Sequence, residues 1–258
     1  MSDVSAPYPN GAPCWVDLMA SDRETAVRFY TELFGWKAEV GPPETGSYTI
    51  CTIRDRPVAG IGQAQATGDQ PAPPVAWTTY LATDDADATA EKTTAAGGTV
   101  LMGPTDIATM GRMLIAADPT GAVFGSWQAR DFFGAQVVDQ PGALCWNEAN
   151  TRDAPAAARF YTEVFGISAE PMEGLPNYFR LRAKGRTVGG IQQMGPDLPA
   201  NVAPHWMSYF AVTDVDAIAD SLAKAGGTVL LKPFNVAPGR MAVVRDPQGA
   251  VFSVIALA

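Results

Sequence analysis

The sequence predicts an α+β fold built from four βαβββ units in two tandem domains. Three observations predict it: an octapeptide written twice, FYTELFGW at 29–36 and FYTEVFGI at 160–167, a repeat that continues far beyond it, and one amphipathic helix among short β-rich runs in each unit. Cys14-Trp15 matches Cys145-Trp146 and Phe29-Tyr30 matches Phe160-Tyr161, both at an offset of 131. AAGGTV at 95–100 matches KAGGTV at 224–229, and GRMLIAADPTGAVF at 111–124 matches GRMAVVRDPQGAVF at 239–252. A copy of about 115 residues is a duplicated domain, since solenoid repeats run to about 20–50 residues. The expected domains are 11–128 and 141–258, joined by a linker at 129–140, with Pro141-Gly142 restarting the pattern.

The elements follow in order. PCWVDLM is a β-rich run ending at Ser21, and Ser21 with Glu24 has the spacing of a capping box that opens a helix. Ala26, Phe29, Tyr30 and Leu33 stand at i, i+3, i+4 and i+7, and Gly35 follows as the expected C-cap, so FYTELFG is the buried end of that helix. WKAEV, SYTICTI and VAGIGQ read as three short strands parted by Gly41-Pro42-Pro43 and Asp55-Arg56-Pro57. A Pro-rich loop at 67–74 leads into a second unit: AWTTYLA, a helix from about Asp85 to Ala96, then TVLM, RMLIAA and AVFGSW.

Composition narrows the function. An apolar fraction of 47% gives a substantial core, while a formal charge of −9 offers no basic stripe for phosphates, so neither nucleic acid nor an anionic membrane surface is an expected partner. No run of about 18 apolar residues is present, and the N-terminal MSDVSAPYPNGAP has no signal-peptide pattern, which makes the cytoplasm the expected address. Cys14, Cys51 and Cys145 are too scattered for a zinc site or a disulfide framework.

The paired βαβββ units, the LFG that closes the first helix, the D-P-x-G before the last strand, and the wording CWVDL, CWNE, GRM and DP-x-GAVF together resemble the vicinal oxygen chelate superfamily. That is the glyoxalase, bleomycin-resistance and dioxygenase type. Two-domain actinobacterial members of it are labelled glyoxalase-like or hydroxylase. The resemblance covers essentially the whole chain and implies two open β-barrel cups. It leaves open whether units pair within or across domains, and it implies a monomer, with a dimer not excluded, because four units are already present.

In metal-using relatives, His, Glu or Gln ligands stand at four places in the cup. Counted from the helix and the D-P-x-G turn, those places fall here on Trp15, Gly62 or Gln63, Thr78 and Gly125 in the first copy. In the second they fall on Trp146, Gln192 or Gln193, Met207 and Ser253. None is a carboxylate or an imidazole, and a lone Gln beside Ser or Thr does not offset the desolvation of a divalent ion. No metal and no other cofactor is expected.

Side chains two apart on a strand share a face, so Trp15 brings Asp17 inward and Trp146 brings Glu148, with Tyr48 and Tyr178 as further wall residues. Such cups would stack a flat organic ligand and bind it through a carboxylate. The plainer alternative is ordinary core tryptophan beside solvated strand-end acids. His205, the only histidine, stands two residues before Met207 and would approach Asp17 if units paired across domains. Arg112 and Arg240 in Gly-Arg-Met read first as loop anchors, and the D-P-x-G aspartates Asp118 and Asp246 as turn residues. Two functions stand. One is a metal-independent small-molecule binding protein with Trp15, Gln63, Thr78, Trp146, Gln193, Met207, Ser253, Tyr48 and Tyr178 around the ligand. The other is an enzyme of secondary or detoxifying metabolism, a lyase, isomerase, cyclase or hydroxylase, that uses Asp17, Glu148 or His205 as catalytic acid or base.

Overall fold

The computed structural model describes residues 3–66 and 72–258, so residues 67–71 of the expected Pro-rich loop lie outside the described residues. The first half runs β1 (Pro13–Ala20), α1 (Arg23–Phe34), β2 (Lys37–Val40), β3 (Thr49–Ile53), β4 (Arg56–Gln63), β5 (Ala76–Ala82), α2 (Ala86–Ala95), β6 (Thr99–Ile107), β7 (Gly111–Ala117) and β8 (Val123–Ala129). The second repeats it: β9 (Leu144–Thr151), α3 (Ala154–Phe165), β10 (Ser168–Pro171), β11 (Tyr178–Ala183), β12 (Arg186–Gln193), β13 (His205–Ala211), α4 (Val215–Lys224), β14 (Thr228–Val236), β15 (Gly239–Arg245) and β16 (Val251–Leu257). Four βαβββ units are therefore present. Among the described residues no helix is long and apolar enough to cross a membrane.

Units pair within each half. The first sheet has the order β2-β3-β4-β1-β5-β8-β7-β6 and the second the order β10-β11-β12-β9-β13-β16-β15-β14. β1 lies antiparallel to β5 and parallel to β4, and β9 stands likewise between β13 and β12. Each sheet is an open, mixed cup rather than a closed barrel.

All four helices start on an aspartate. Asp22, Asp85, Asp153 and Asp214 each accept a hydrogen bond from the backbone N–H three residues on, satisfying one of the donors a helix start leaves free. The capping box expected at Ser21 and Glu24 is thus displaced by one residue. Ser21 Oγ donates instead to Gln248 Oε1 at 2.6 Å, in the other half of the chain, while Glu24 is exposed. Gly35 and Gly166 end α1 and α3 in the left-handed conformation, as their position after LF and VF requires.

The two sheets share their helices. Phe34 of α1 packs on Phe210 at 5.1 Å between ring centroids and Tyr30 on Phe252 at 5.6 Å, both partners belonging to the second sheet. Phe160 and Tyr161 of α3 pack on Phe124 of the first sheet at 5.9 and 5.7 Å. Buried hydrogen bonds fix this exchange. Tyr30 donates to Asp246 Oδ2 at 2.9 Å and accepts from Trp77 Nε1 at 3.1 Å; Tyr161 donates to Asp118 Oδ2 at 3.0 Å and accepts from Trp206 Nε1 at 2.8 Å. Asp118 Oδ1 meanwhile accepts from the backbone of Thr120 and Ala122, and Asp246 Oδ1 from Gln248 and Ala250. The D-P-x-G aspartates, read from sequence as turn residues alone, also tie the halves together. Thr79 Oγ1 donates to Asn147 Oδ1 at 2.9 Å across the same interface. Arg112 forks onto Asp87 of α2 and reaches Asp106 of β6, and Arg240 forks onto Asp216 of α4, so each ties its strand to a helix start rather than fixing a loop.

Replacing Tyr30 or Tyr161 by Phe leaves an indole N–H and a carboxylate oxygen unpaired in the interface. Each change is expected to cost about 2–3 kcal/mol in urea unfolding, since an orphaned buried group costs about 1–3 kcal/mol.

Candidate functional site

Strand alternation decides what each cup contains. Along β1, Val16, Leu18 and Ala20 enter the core against the helices, which turns Trp15, Asp17 and Met19 to the concave face. Along β9, Ala149 is core, so Trp146, Glu148 and Asn150 face the second cup. The opposing strands bring Tyr80 against Trp15 and Thr78 against Asp17, and in the second cup Tyr209 against Trp146, Met207 against Glu148 and His205 against Asn150.

Asp17 is the centre of the first cup. It is buried, and its Oδ2 accepts from Tyr80 Oη at 3.0 Å and from Tyr48 Oη at 3.2 Å, while Trp15 Nε1 donates to Tyr48 Oη at 3.0 Å. Gly60, opposite Asp17 on β4, makes this possible, because a Cβ there would overlap the Tyr48 phenol. Asp17 Oδ1 is buried without a partner. Removal from water disfavours the charged form and pushes this carboxyl up to about 7, although the two phenols pull it part of the way back. Burial and the nearby Asp17 push both phenols well above their ordinary range, so they stay protonated as donors.

The second cup repeats the design with a longer acid. Glu148 is buried and accepts from Tyr209 Oη at 3.0 Å, and Gly190 leaves room for the Tyr178 phenol as Gly60 does for Tyr48. Burial raises Glu148 above the usual carboxylate range, while Tyr178, Tyr209, Trp146 and Asn150 around it work in the opposite direction. Ser253 lies buried opposite Tyr209 on β16.

Three expected site residues sit elsewhere. Gln63 Oε1 accepts from Arg23 N at 3.0 Å and its amide donates to Ser21 O, and Gln193 Oε1 accepts from Ala154 N at 2.9 Å while its amide reaches Arg152 O. Both glutamines hold a helix start rather than line a cup, because on their strands Gly62 and Gln192 take the concave face. His205 is far from Asp17 in the chain's topology: it lies in the second sheet, its Nδ1 2.9 Å from Ala203 O, because units pair within halves. It shares a face with Glu148 instead. Tyr80 and Tyr209, absent from the expected site, donate to Asp17 and Glu148 respectively; their pairing with Trp15 and Trp146 was the available signal.

The donor set does not fit a divalent cation. Where a metal would need several converging charged ligands, the first cup presents indole, thioether, hydroxyl and glycine around a single carboxyl held by phenols, and the second adds the amides of Asn150 and Gln192 and the imidazole of His205, each already turned to a backbone carbonyl. Among the described residues no group of three His, Cys, Asp or Glu could hold a metal ion. Two clefts lie beside the sheets, and of the concave-face residues Trp146 lines the larger. One of about 340 Å³ lies at the start of α1, between Arg23, Ser47 and Gln63. A larger one, about 800 Å³, lies between the N-terminal residues and the second sheet and is lined by Tyr8, Pro13, Val138, Trp146 and Thr187.

A profile of the Glyoxalase/Bleomycin resistance protein/Dioxygenase superfamily matches residues 14–125 and again 143–254. The chain is 42% identical over 253 residues to "Putative glyoxylase CFP32" of Mycobacterium tuberculosis, covering 96% of this chain and 95% of that protein. It is 37% identical over 263 residues to "Anthracycline biosynthesis protein DnrV" of Streptomyces peucetius, covering 97% of this chain and 94% of the relative. Among solved structures, the Mn(II)-bound glyoxalase from Novosphingobium aromaticivorans superposes with a TM-score of 0.65 at 18% identity, covering 96% of this chain and 82% of the other. The 2,3-dioxygenase LapB from Pseudomonas sp. KL28 also gives 0.65, at 13% identity, with coverages of 96% and 93%. At these identities the two structures share the fold.

The buried acids make stability depend on pH. Between about pH 4 and pH 7 the folded chain keeps a proton on Asp17 that the unfolded chain has released, so its contribution is full below that window and is lost as pH rises through it. The slope is at most about 1.4 kcal/mol per pH unit for one group. The stability of the wild type relative to Asp17→Asn is therefore expected to fall between pH 4 and pH 8 in denaturant titrations. A difference independent of pH would place the Asp17 titration in its ordinary range.

Proposed function

The chain belongs to the Glyoxalase/Bleomycin resistance protein/Dioxygenase superfamily, and from that premise we propose that it is a metal-independent small-molecule binding protein whose ligand is a flat organic molecule. One observation carries the reading. At the centre of each cup stands a buried carboxyl, Asp17 or Glu148, reached by tyrosine phenols and flanked by an indole, where a metal would need several charged or imidazole ligands.

The chemistry of that arrangement suits a planar ring system with a hydroxyl or carbonyl at its edge. Trp15 or Trp146 offers a stacking surface, Tyr48 or Tyr178 a second wall, and Met207 a polarisable contact. The carboxyl accepts a ligand hydroxyl when charged and donates to a carbonyl when neutral. Burial raises both carboxyls, Asp17 to about 7, which lets Asp17 do either near neutral pH. Relatives named for anthracycline biosynthesis point the same way, since anthracyclines are polycyclic aromatics bearing hydroxyl and quinone groups.

A second reading rests on Glu148 and His205 sharing one concave face, two strand positions apart. A carboxyl poised above its ordinary range could move a proton on the bound ligand, with His205 at the rim as its partner, in an isomerisation, cyclisation or lyase step. Under that reading turnover would respond to Glu148→Gln and His205→Ala. Equal turnover in both variants removes it and leaves the binder.

For the binding reading, titration with 1,4-dihydroxyanthraquinone provides the test. Trp146→Ala is expected to weaken binding at least tenfold, about 1.4 kcal/mol. Unchanged affinity in both Trp15→Ala and Trp146→Ala would count against an aromatic cup.

A further inference from the structure

The duplication left two cups of the same plan, yet their surroundings differ. In the first half the linker is laid across the end of the cup that holds Trp15. Ala135 N donates to Cys14 O at 2.8 Å and Gln136 N to Pro57 O at 2.7 Å, so the linker is stitched to both β1 and β4. Gly134 fits there because any Cβ would collide with the Cys14 carbonyl. Phe132 is then set edge-on to Trp15, with centroids 4.9 Å apart, and 6.1 Å from Trp127, whose indole N–H donates to Phe132 O at 2.8 Å. Trp15 is 5% exposed and Tyr80 6%.

The residues that correspond to those anchors in the second half are Cys145 and Thr187, and both line the cleft of about 800 Å³. The cleft is the linker's slot, occurring a second time beside Trp146. Its far wall is the N-terminal segment, which is tied to the linker through Val4 N to Gln136 O and Tyr8 Oη to Ala135 O. Among the described residues no aromatic ring stacks on Trp146, and both Trp146 and Tyr209 are only half-buried. Two substitutions deepen the difference. Gly125, on which the Tyr80 ring lies, is Ser253 in the second copy, so the ring of Tyr209 cannot settle as deeply; Trp127, which holds Phe132, is Ile255.

We infer that the chain carries one ligand site and not two: a planar aromatic enters the cleft and stacks on Trp146, while Phe132 of the linker is the built-in occupant of the corresponding place in the first cup. This rests on the small-molecule reading above and specifies where that reading applies. The volume suits a ring system of three or four fused rings, since drug-sized sites span about 300–1,000 Å³. The first domain then serves as scaffold, with Asp17 as its buried polar centre.

Hydroxyl-radical footprinting of the intact chain, read by mass spectrometry, tests the asymmetry without a ligand. Trp146 is expected to oxidise at least five times faster than Trp15. Phe132→Ala should raise Trp15 oxidation severalfold and leave Trp146 unchanged, and Phe132→Leu provides a milder opening if the alanine variant loses its circular dichroism. Equal reactivity of Trp15 and Trp146 in the wild type would overturn the inference. With 1,4-dihydroxyanthraquinone added, one equivalent should bind and protect Trp146 alone; two equivalents, or protection of Trp15, would also overturn it. If the quinone fails to bind while Trp146 reacts fast, the ligand class proposed above is wrong and the asymmetry of the cups stands.

Discussion

Two buried tyrosine–aspartate hydrogen bonds organise the molecule. Tyr30 reaches Asp246 and Tyr161 reaches Asp118, each from the helix of one half to the last turn of the other. An indole N–H closes each cluster, so the tyrosine hydroxyl and the carboxylate oxygen placed in this apolar layer both have partners. Because the helices are held between the sheets, each sheet has its convex side buried and its concave side facing outward. The cups exist as cups for that reason: a helix docked on its own sheet alone would leave half of its aromatic face in water, and the exchange between halves buries it on both sides.

That organisation explains which parts of the sequence could be read. The octapeptide FYTELFGW gives its helix away by spacing, and Gly35 marks the end because only a residue free of a Cβ penalty takes the left-handed turn readily. The phase of β1 was legible too, since Trp15 and Asp17 are two apart and Val16 and Leu18 complete the opposite face. What the sequence did not disclose was any choice made by distant partners. Ser21 has a capping-box neighbour in Glu24, yet its hydroxyl is taken by Gln248, more than two hundred residues away, and Asp22 caps the helix. Gln63 and Gln193 lie one residue from the concave face and turn to helix starts. His205 was expected near Asp17 only if units paired across domains, and the strand order within each half rules that pairing out. Phe132 carried no periodic signal at all, because a linker residue's role depends on the surface it crosses.

The same burial that builds the cups sets their chemistry. A carboxyl enclosed by strands and phenols holds its proton at pH values where an exposed one would have lost it, and the phenols around it remain donors. Under the binding proposal, such a centre meets hydroxyl and carbonyl groups by exchanging a proton's position. The two copies then diverged through small steps: Asp17 against the longer Glu148, Gly125 against Ser253, Trp127 against Ile255. Trp127 holds Phe132 over the first cup and Ile255 leaves the second without that clamp, while the layer of aromatic rings beneath them stays nearly the same.

The proposal that the cups bind a ligand without a metal is open to direct measurement. Purified chain would be analysed for bound metals by plasma mass spectrometry, and its affinity for 1,4-dihydroxyanthraquinone measured before and after exhaustive chelation. Far less than one equivalent of any divalent metal and an affinity unchanged by chelation are the expected results. One firmly held equivalent, or binding lost on chelation and restored by manganese, would contradict the proposal.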